Sequence, residues 1–335
     1  MTTLTLLRRN LVYYWRTNAA VVGGVAIAVA VLAGALLVGD SVRASLRELV
    51  LGRLGKTAYV VSASNFFREE LVEELRAHAQ FANSSFEGAC PLVVFEGVVV
   101  DEGSGRRGGG VQVYGVDERF WQFQGMDAAR KTLGEREVLL SAGLASELGA
   151  QAGGEVLLRI EKPSAIPVES LHGRKEDVGR TVRLTIREVL TSAELGEFSL
   201  RPQQGAVRAV FVPLRRVQKD AEQQGRVNTI LLSTRAGGGE ATAADGAAQS
   251  AAVAKILRET FRLEDLGIKL RALEAQHALS VETESAVVND VLERQAKEAA
   301  RNLNLRAPAI FSYLANAIRA GGREIPYSLV TAIDE

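Results

Sequence analysis

Residues Ala19 to Gly39 read AAVVGGVAIAVAVLAGALLVG, twenty-one consecutive residues without a charge. A helix needs about 20 apolar residues to cross the hydrocarbon core of a bilayer, so this run is long enough to span one. Nothing comparable follows in the 296 residues from Asp40 to Glu335, which have the mixed composition of a water-exposed body. One membrane helix carrying one large domain is the arrangement that the rest of the chain has to fit.

The residues on either side of the run sharpen that reading. Leu4, Leu7, Leu11 and Trp15 recur at helical spacing beside Arg8, Arg9 and Arg16, which describes an amphipathic segment lying at the membrane surface. Tyr13, Tyr14 and Trp15 stand where an interfacial aromatic belt belongs. A cleaved signal peptide is the alternative, but its apolar core is typically about 7 to 15 residues, shorter than this one. On the far side, Val42, Leu46, Leu49, Val50 and Leu54 keep a helical period through charged sequence, so the helix is expected to continue as a stalk ending near Gly55. Basic residues flank both ends, and the reading adopted is N-terminus inside, body outside.

With 40 basic and 40 acidic side chains the chain carries no net charge, which argues against nucleic acid as a partner. Its 24% charged and 47% hydrophobic residues are those of a folded protein, long enough for two or three domains. Cys90 is the only cysteine, which excludes an intrachain disulfide.

Along the body, β-rich runs predict strands at Thr57–Ser62, Leu92–Val100, Val111–Val116, Glu137–Leu140, Glu155–Ile160, Val182–Leu190, Ala206–Val212 and Thr229–Ser233. Asn65 is placed as the cap of a helix over Phe66–Ala79 with Leu71, Val72 and Leu75 inward, and Gly149 as the C-cap of a helix over Ala142–Leu148. Arg235–Ser250 reads as a surface linker before a helix at Ala251–Phe261. Strands at Ile268–Leu273 and Leu279–Thr283 then precede a helix capped by Ser285, running to about Leu303 with Val287, Val288, Val291 and Leu292 on its apolar side. Strands and helices mix without regular βαβ repetition, so the fold class is α+β.

The chemistry-bearing motifs are weak. Gly103, Gly105 and Gly108 fit G-x-G-x-x-G, with Asp127 downstream, but strand-like sequence follows where a dinucleotide site needs a helix. Gly55-Lys56-Thr57 lacks the earlier glycine of a phosphate loop, Val50 standing in its place. His78, His172 and His277 have no metal-ligand spacing, and Ser170, His172 and Asp177 share a polar stretch without a nucleophile elbow. No catalytic residue, metal ligand or cofactor is assigned, and Cys90 beside Pro91 reads as a small core residue.

Several phrases resemble the extracytoplasmic core domain of MacB/FtsX-type ABC transporter permeases. They are Gly39-Asp40-Ser41-Val42-Arg43 after the span, VYGVDERFW (Val113–Trp121), EVLLSAGLASELGAQAGGEVLLRI (Glu137–Ile160), SLRPQQ (Ser199–Gln204), VFVPLRRVQ (Val210–Gln218), GRVNTILLS (Gly225–Ser233), FSYLANAI (Phe311–Ile318) and IPYSLV (Ile325–Val330). The resemblance implies a bacterial inner-membrane protein. It would have an interfacial segment (1–17), a transmembrane helix (18–39), a stalk (40–56) and an extracytoplasmic domain (57–335).

Within that domain 57–117 and 279–335 would be porter-like, 118–234 a β-rich insertion, and 235–278 linker and helix. It also implies a cytoplasmic ABC ATPase subunit as partner, beside the lipid bilayer and a homodimeric or paired permease, with motion passed up the first span. Asp40, Arg43 and Arg47, at the outer end of that span, are the candidate coupling positions. Such permeases carry further spans after this domain. With the sequence stopping at Glu335, the expectation is an N-terminal part of a longer permease, with a stand-alone membrane-anchored interaction module as the alternative.

Overall fold

The computed structural model describes residues 3–161, 179–235, 243–283 and 288–333. Their contacts divide into two compact units, one holding residues up to 64, 69–161 and 179–260, the other 65–68 and the residues from 261 on.

The first unit opens with α1 (Thr3–Tyr13), a turn at Tyr14, and α2 (Trp15–Leu54), 40 residues without interruption. At 1.5 Å per residue α2 is about 60 Å long, and a hydrocarbon core of about 30 Å takes only half of it. Stalk and span are therefore one rod. Among the described residues α2 is the one helix long and apolar enough to cross a membrane, and its apolar window is wholly unburied.

β1 (Tyr59–Arg68) runs through Asn65, so the helix expected to start there starts later, as α3 (Leu71–Ala77) followed by α4 (Ala79–Ala82). Phe66 and Phe67 explain the difference. Both are buried, and consecutive aromatic residues suit a strand with cover on both faces better than the first turn of a helix. The inner face was read correctly: Leu71, Val72 and Leu75 are all buried.

β2 (Phe86–Asp101) belongs to two arrangements at once. Its first half pairs antiparallel with β8 (Arg226–Thr234), which has β1 on its other side. Its second half pairs antiparallel with both β3 (Arg107–Val116) and β5 (Glu155–Glu161). With β4 (Glu137–Ser141), β6 (Gly179–Leu190) and β7 (Ala209–Pro213) these strands run in the order β2-β3-β7-β4-β6-β5 and return to β2, a closed six-stranded barrel. The pairs β3–β7 and β4–β6 are parallel, so the sheet is mixed. The barrel thus draws on strands from residue 93 onward, before the start expected for a β-rich insertion, while β8 pairs outside it.

Gly97 makes the closure feasible. The β2–β3 register shifts between Gly97 and Val99, and a Cβ at Gly97 would stand 2.8 Å from the Arg159 carbonyl oxygen on β5. Only glycine lets the two backbones approach this closely. The glycine-rich segment after β2 forms the β2–β3 hairpin loop, held by Ser104 N donating to Asp101 Oδ2 at 2.7 Å. Strand β3 follows it, where a dinucleotide fingerprint needs a helix.

Short helices fill the connections. They are α5 (Glu118–Phe123), α6 (Ala128–Lys131), α7 (Ala142–Leu148), closed by Gly149 as expected, and α8 (Leu214–Asp220). Asp127, the residue at dinucleotide distance, caps α6. The last helix of this unit, α9 (Ala243–Thr260), corrects the linker assignment for residues 243–250. That stretch is rich in alanine, the strongest helix former, which low apolar content had disguised.

The core gathers on Phe211, fully buried and in ring contact with Tyr114, Phe120, Trp121 and Phe198. Cys90 lies in the same cluster. Burial pushes its thiol well above the ordinary cysteine range, aided by the Asp117 carboxylate. Since the thiolate is the reactive form, Cys90 should resist alkylation in the folded protein and react only on unfolding. Labelling followed across a denaturant series checks this; fast modification in native buffer would contradict it.

In the second unit a buried pair stands out. Arg68 donates to Asp265 from Nη2 (2.7 Å), from Nε (3.0 Å) and from its backbone N–H (3.0 Å). A hairpin of β9 (Ile268–Leu273) and β10 (Ala278–Thr283) follows, then α10 (Asp290–Asn302) and the antiparallel ribbon β11 (Ile310–Ala320) and β12 (Arg323–Ile333). Asn289, not Ser285, caps α10. Ser285, Val287 and the stretch with Ser170, His172 and Asp177 lie outside the described residues.

Candidate coupling site at the foot of the stalk

Where α2 ends, one residue of its last turn, Arg53, is buried in the first unit. Arg53 falls on the stripe of Leu46, Leu49 and Val50 (i, i+3/4, i+7), yet it is only 7% exposed. Its guanidinium donates to the Gln203 carbonyl oxygen, to Gly205 O at 2.9 Å and to Glu197 Oε2 at 3.4 Å. Its own carbonyl accepts from Ser199 N at 3.3 Å. One arginine therefore ties the stalk to a single loop, residues 197–205.

Gly55 completes the joint. It sits at φ +58°, and a Cβ there would strike the side chain of Gln124. Without one, Gln124 Oε1 accepts from Lys56 N at 2.8 Å while its Nε2 donates to Thr57 Oγ1 at 3.2 Å. Ala58 N then donates to Leu232 O on β8 at 2.8 Å. The chain thus passes from rod to sheet through consecutive fixed residues.

The 197–205 loop is in turn bound to the barrel. Gln112 Nε2 on β3 donates to Ser199 Oγ at 3.1 Å, Tyr114 OH donates to Gln112 Oε1, and Leu200 N donates to Tyr114 OH at 3.2 Å. Burial pushes the Tyr114 phenol up to about 12, so it stays a protonated donor across physiological pH. The path from α2 to β3 is a run of part-buried and buried hydrogen bonds. Replacing Arg53 with Met keeps the stem but strips the donors from two carbonyls, and should cost about 1–2 kcal/mol. Faster amide exchange at Ser199 and Leu200 would register the release; unchanged exchange would refute the tie.

The three sequence-derived positions lie elsewhere on the rod. Asp40, Arg43 and Arg47 are exposed on α2 and, among the described residues, make no side-chain hydrogen bond or ion pair. Their spacing keeps them on one face, and Arg53 projects roughly a third of a turn away from it. The structure does not bring them together with the Arg53 joint. In the sequence Arg53 is one of the basic residues that flank the span, and its signal is an arginine on an otherwise apolar stripe just before a helix-ending glycine. His78 caps α4 and pairs with Glu259 at 3.2 Å, and His277 follows β9, so the two described histidines are far from each other in role.

Residues 19–258 match the family described as MacB-like periplasmic core domain. Comparison with curated proteins finds no match. Among solved structures, the periplasmic region of MacB from Actinobacillus actinomycetemcomitans is 9% identical with a TM-score of 0.36, covering 77% of this chain and 98% of that one. The extracellular domain of the noncanonic ABC-type transporter YknZ from Gram-positive bacteria is 12% identical with a TM-score of 0.35, covering 65% of this chain and 90% of that one. The family match spans α2, the barrel and the layer of β1, β8 and the first half of β2, well over half of the sequence. The chain belongs to the MacB-like periplasmic core domain family.

Proposed function

We propose that the chain is the membrane-anchored N-terminal part of an ABC transporter permease, and that it transmits motion between a cytoplasmic ATPase and the extracytoplasmic domain. The observation that supports this is the uninterrupted rod α2, which ends in the Arg53–Gly55 joint and not in a loose linker. A helix continuous from span to joint delivers rotation or translation to the 197–205 loop without loss in a flexible segment. Asp40, Arg43 and Arg47 would act where the rod leaves the membrane, by engaging neighbouring spans. The family is one of transporter permease domains and not an enzyme class, and the reading assigns no catalytic residue.

Reading the DNA beyond the Glu335 codon tests the proposal. Further apolar spans in frame, with an ATPase gene alongside, support it; a stop codon followed by unrelated genes favours a stand-alone anchored module. Orientation has its own check. A Gln151→Cys variant should be labelled by a membrane-impermeant reagent in intact cells. Labelling only after permeabilisation would place the body inside.

A further inference from the structure

Outside the joint, the chain carries a concentration of charge at its other end. Arg8, Arg9 and Arg16 are the only ionisable side chains before Asp40, apart from the tyrosines, and all three are basic. The elbow between α1 and α2 gathers two of them. Arg8, Arg9 and Asn10, with the apolar Leu6 and Val12 and the rings of Tyr13 and Tyr14, line a shallow recess on α1 and the turn that follows it. The Tyr13 and Tyr14 rings meet edge to face at 4.8 Å, and the Arg16 guanidinium lies 5.6 Å from the Trp15 ring centre. Arg8 and Arg9 are exposed and, among the described residues, pair with no carboxylate.

The faces of α1 say what sits there. Leu4, Leu7 and Leu11 form one exposed apolar stripe, 80%, 65% and 54% accessible, beside the arginines. A helix of this kind, joined directly to a span, lies with its leucines in the acyl boundary and its arginines at phosphate level. Guanidinium groups bind phosphate oxygens in paired, charge-assisted hydrogen bonds, and Asn10 adds a neutral donor. Tyrosine and tryptophan rings settle at the same depth.

We propose that the α1–α2 elbow is a binding site for the phosphate headgroup of anionic phospholipid, with Arg8 and Arg9 as its recognising residues. The inference rests on the reading of α2 as a membrane span. A basic residue near an anionic surface is worth about 1 kcal/mol, or about fivefold in association, so the pair should favour an anionic over a zwitterionic lipid by up to about 25-fold.

The test is spin-label electron resonance on the full chain in phosphatidylcholine vesicles, doped with spin-labelled phosphatidylglycerol or spin-labelled phosphatidylcholine. The expected result is preferential association of phosphatidylglycerol. It should fall as salt rises from about 0.01 M to about 1 M and the Debye length shrinks from ~30 Å to ~3 Å. Preference should be lost in Arg8→Gln/Arg9→Gln, which keeps good helix formers, and kept in Arg8→Lys/Arg9→Lys. It should also survive Arg43→Gln/Arg47→Gln. Equal association of both lipids with the wild-type chain overturns the proposal, as does a preference that follows Arg43 and Arg47. A chain that alkaline carbonate washes off the vesicles overturns the membrane span as well, which separates the two readings.

Discussion

Phe211→Ala should lower the stability of the first unit by about 3–5 kcal/mol, the range for deleting a large aromatic side chain from a packed core. Phe211 is fully buried and touches four other rings, with centroids between 5.5 and 6.5 Å away. No small shift of a neighbour can refill the space, because Tyr114 is held by hydrogen bonds to Gln112 and Leu200. Phe211→Leu retains most of the volume and should cost only about 1 kcal/mol. The measurement is a denaturant midpoint read two ways, by Cys90 alkylation and by Trp121 emission, both reporting from the same cluster. A Phe211→Ala protein within about 1 kcal/mol of wild type would mean that the cluster is not the core of this unit.

The second large effect is expected in the other unit, at Asp265. Burial opposes ionisation of its carboxyl, but the Arg68 guanidinium and the backbone N–H groups of Arg262 and Arg68 outweigh it and hold the group below the usual aspartate range. Because the folded value is depressed, the stabilisation is whole above the ordinary value and is lost as the pH falls through the folded one. Asp265→Asn leaves a buried guanidinium facing a neutral amide and should cost about 3–5 kcal/mol near neutrality. Amide exchange at Arg68 and Arg262 reads the loss locally. The variant should also be indifferent to acid over the window in which wild type weakens. If the two proteins respond to acid in parallel there, the pair is not the source of the acid sensitivity.

Much of the organisation was legible because it depends on local pattern. An uncharged run of span length, the apolar period beyond it and the glycine at its end mark α2 from Ala19 to its finish, while its first residues, Trp15 to Thr17, read as part of the interfacial segment. Gly149 closes α7 by C-capping chemistry that needs no tertiary partner. The stretch before α3 misled because Asn65 is a good cap in isolation, while the burial of Phe66 and Phe67 could not be seen from their neighbours. The alanine-rich stretch before residue 251 misled in the opposite sense: few large apolar residues suggested a linker, and propensity carried it into α9. At the joint, Arg53 was visible as a residue but not as a role, because its acceptors lie about 150 positions away.

Membrane attachment and the rod follow from composition and period along the chain, since a helix satisfies its own backbone and a bilayer asks only for length and apolarity. The barrel does not follow in that way. Its closure depends on one strand, β2, leaving β8 after Leu92 and taking up β5 from Gly97, and on parallel pairs between strands far apart in sequence. Register between distant strands is fixed by side chains meeting across the sheet, which periodicity along one strand cannot record. The uncharged run at Ala19–Gly39 thus identifies a rod, and only the folded domain shows what the rod holds.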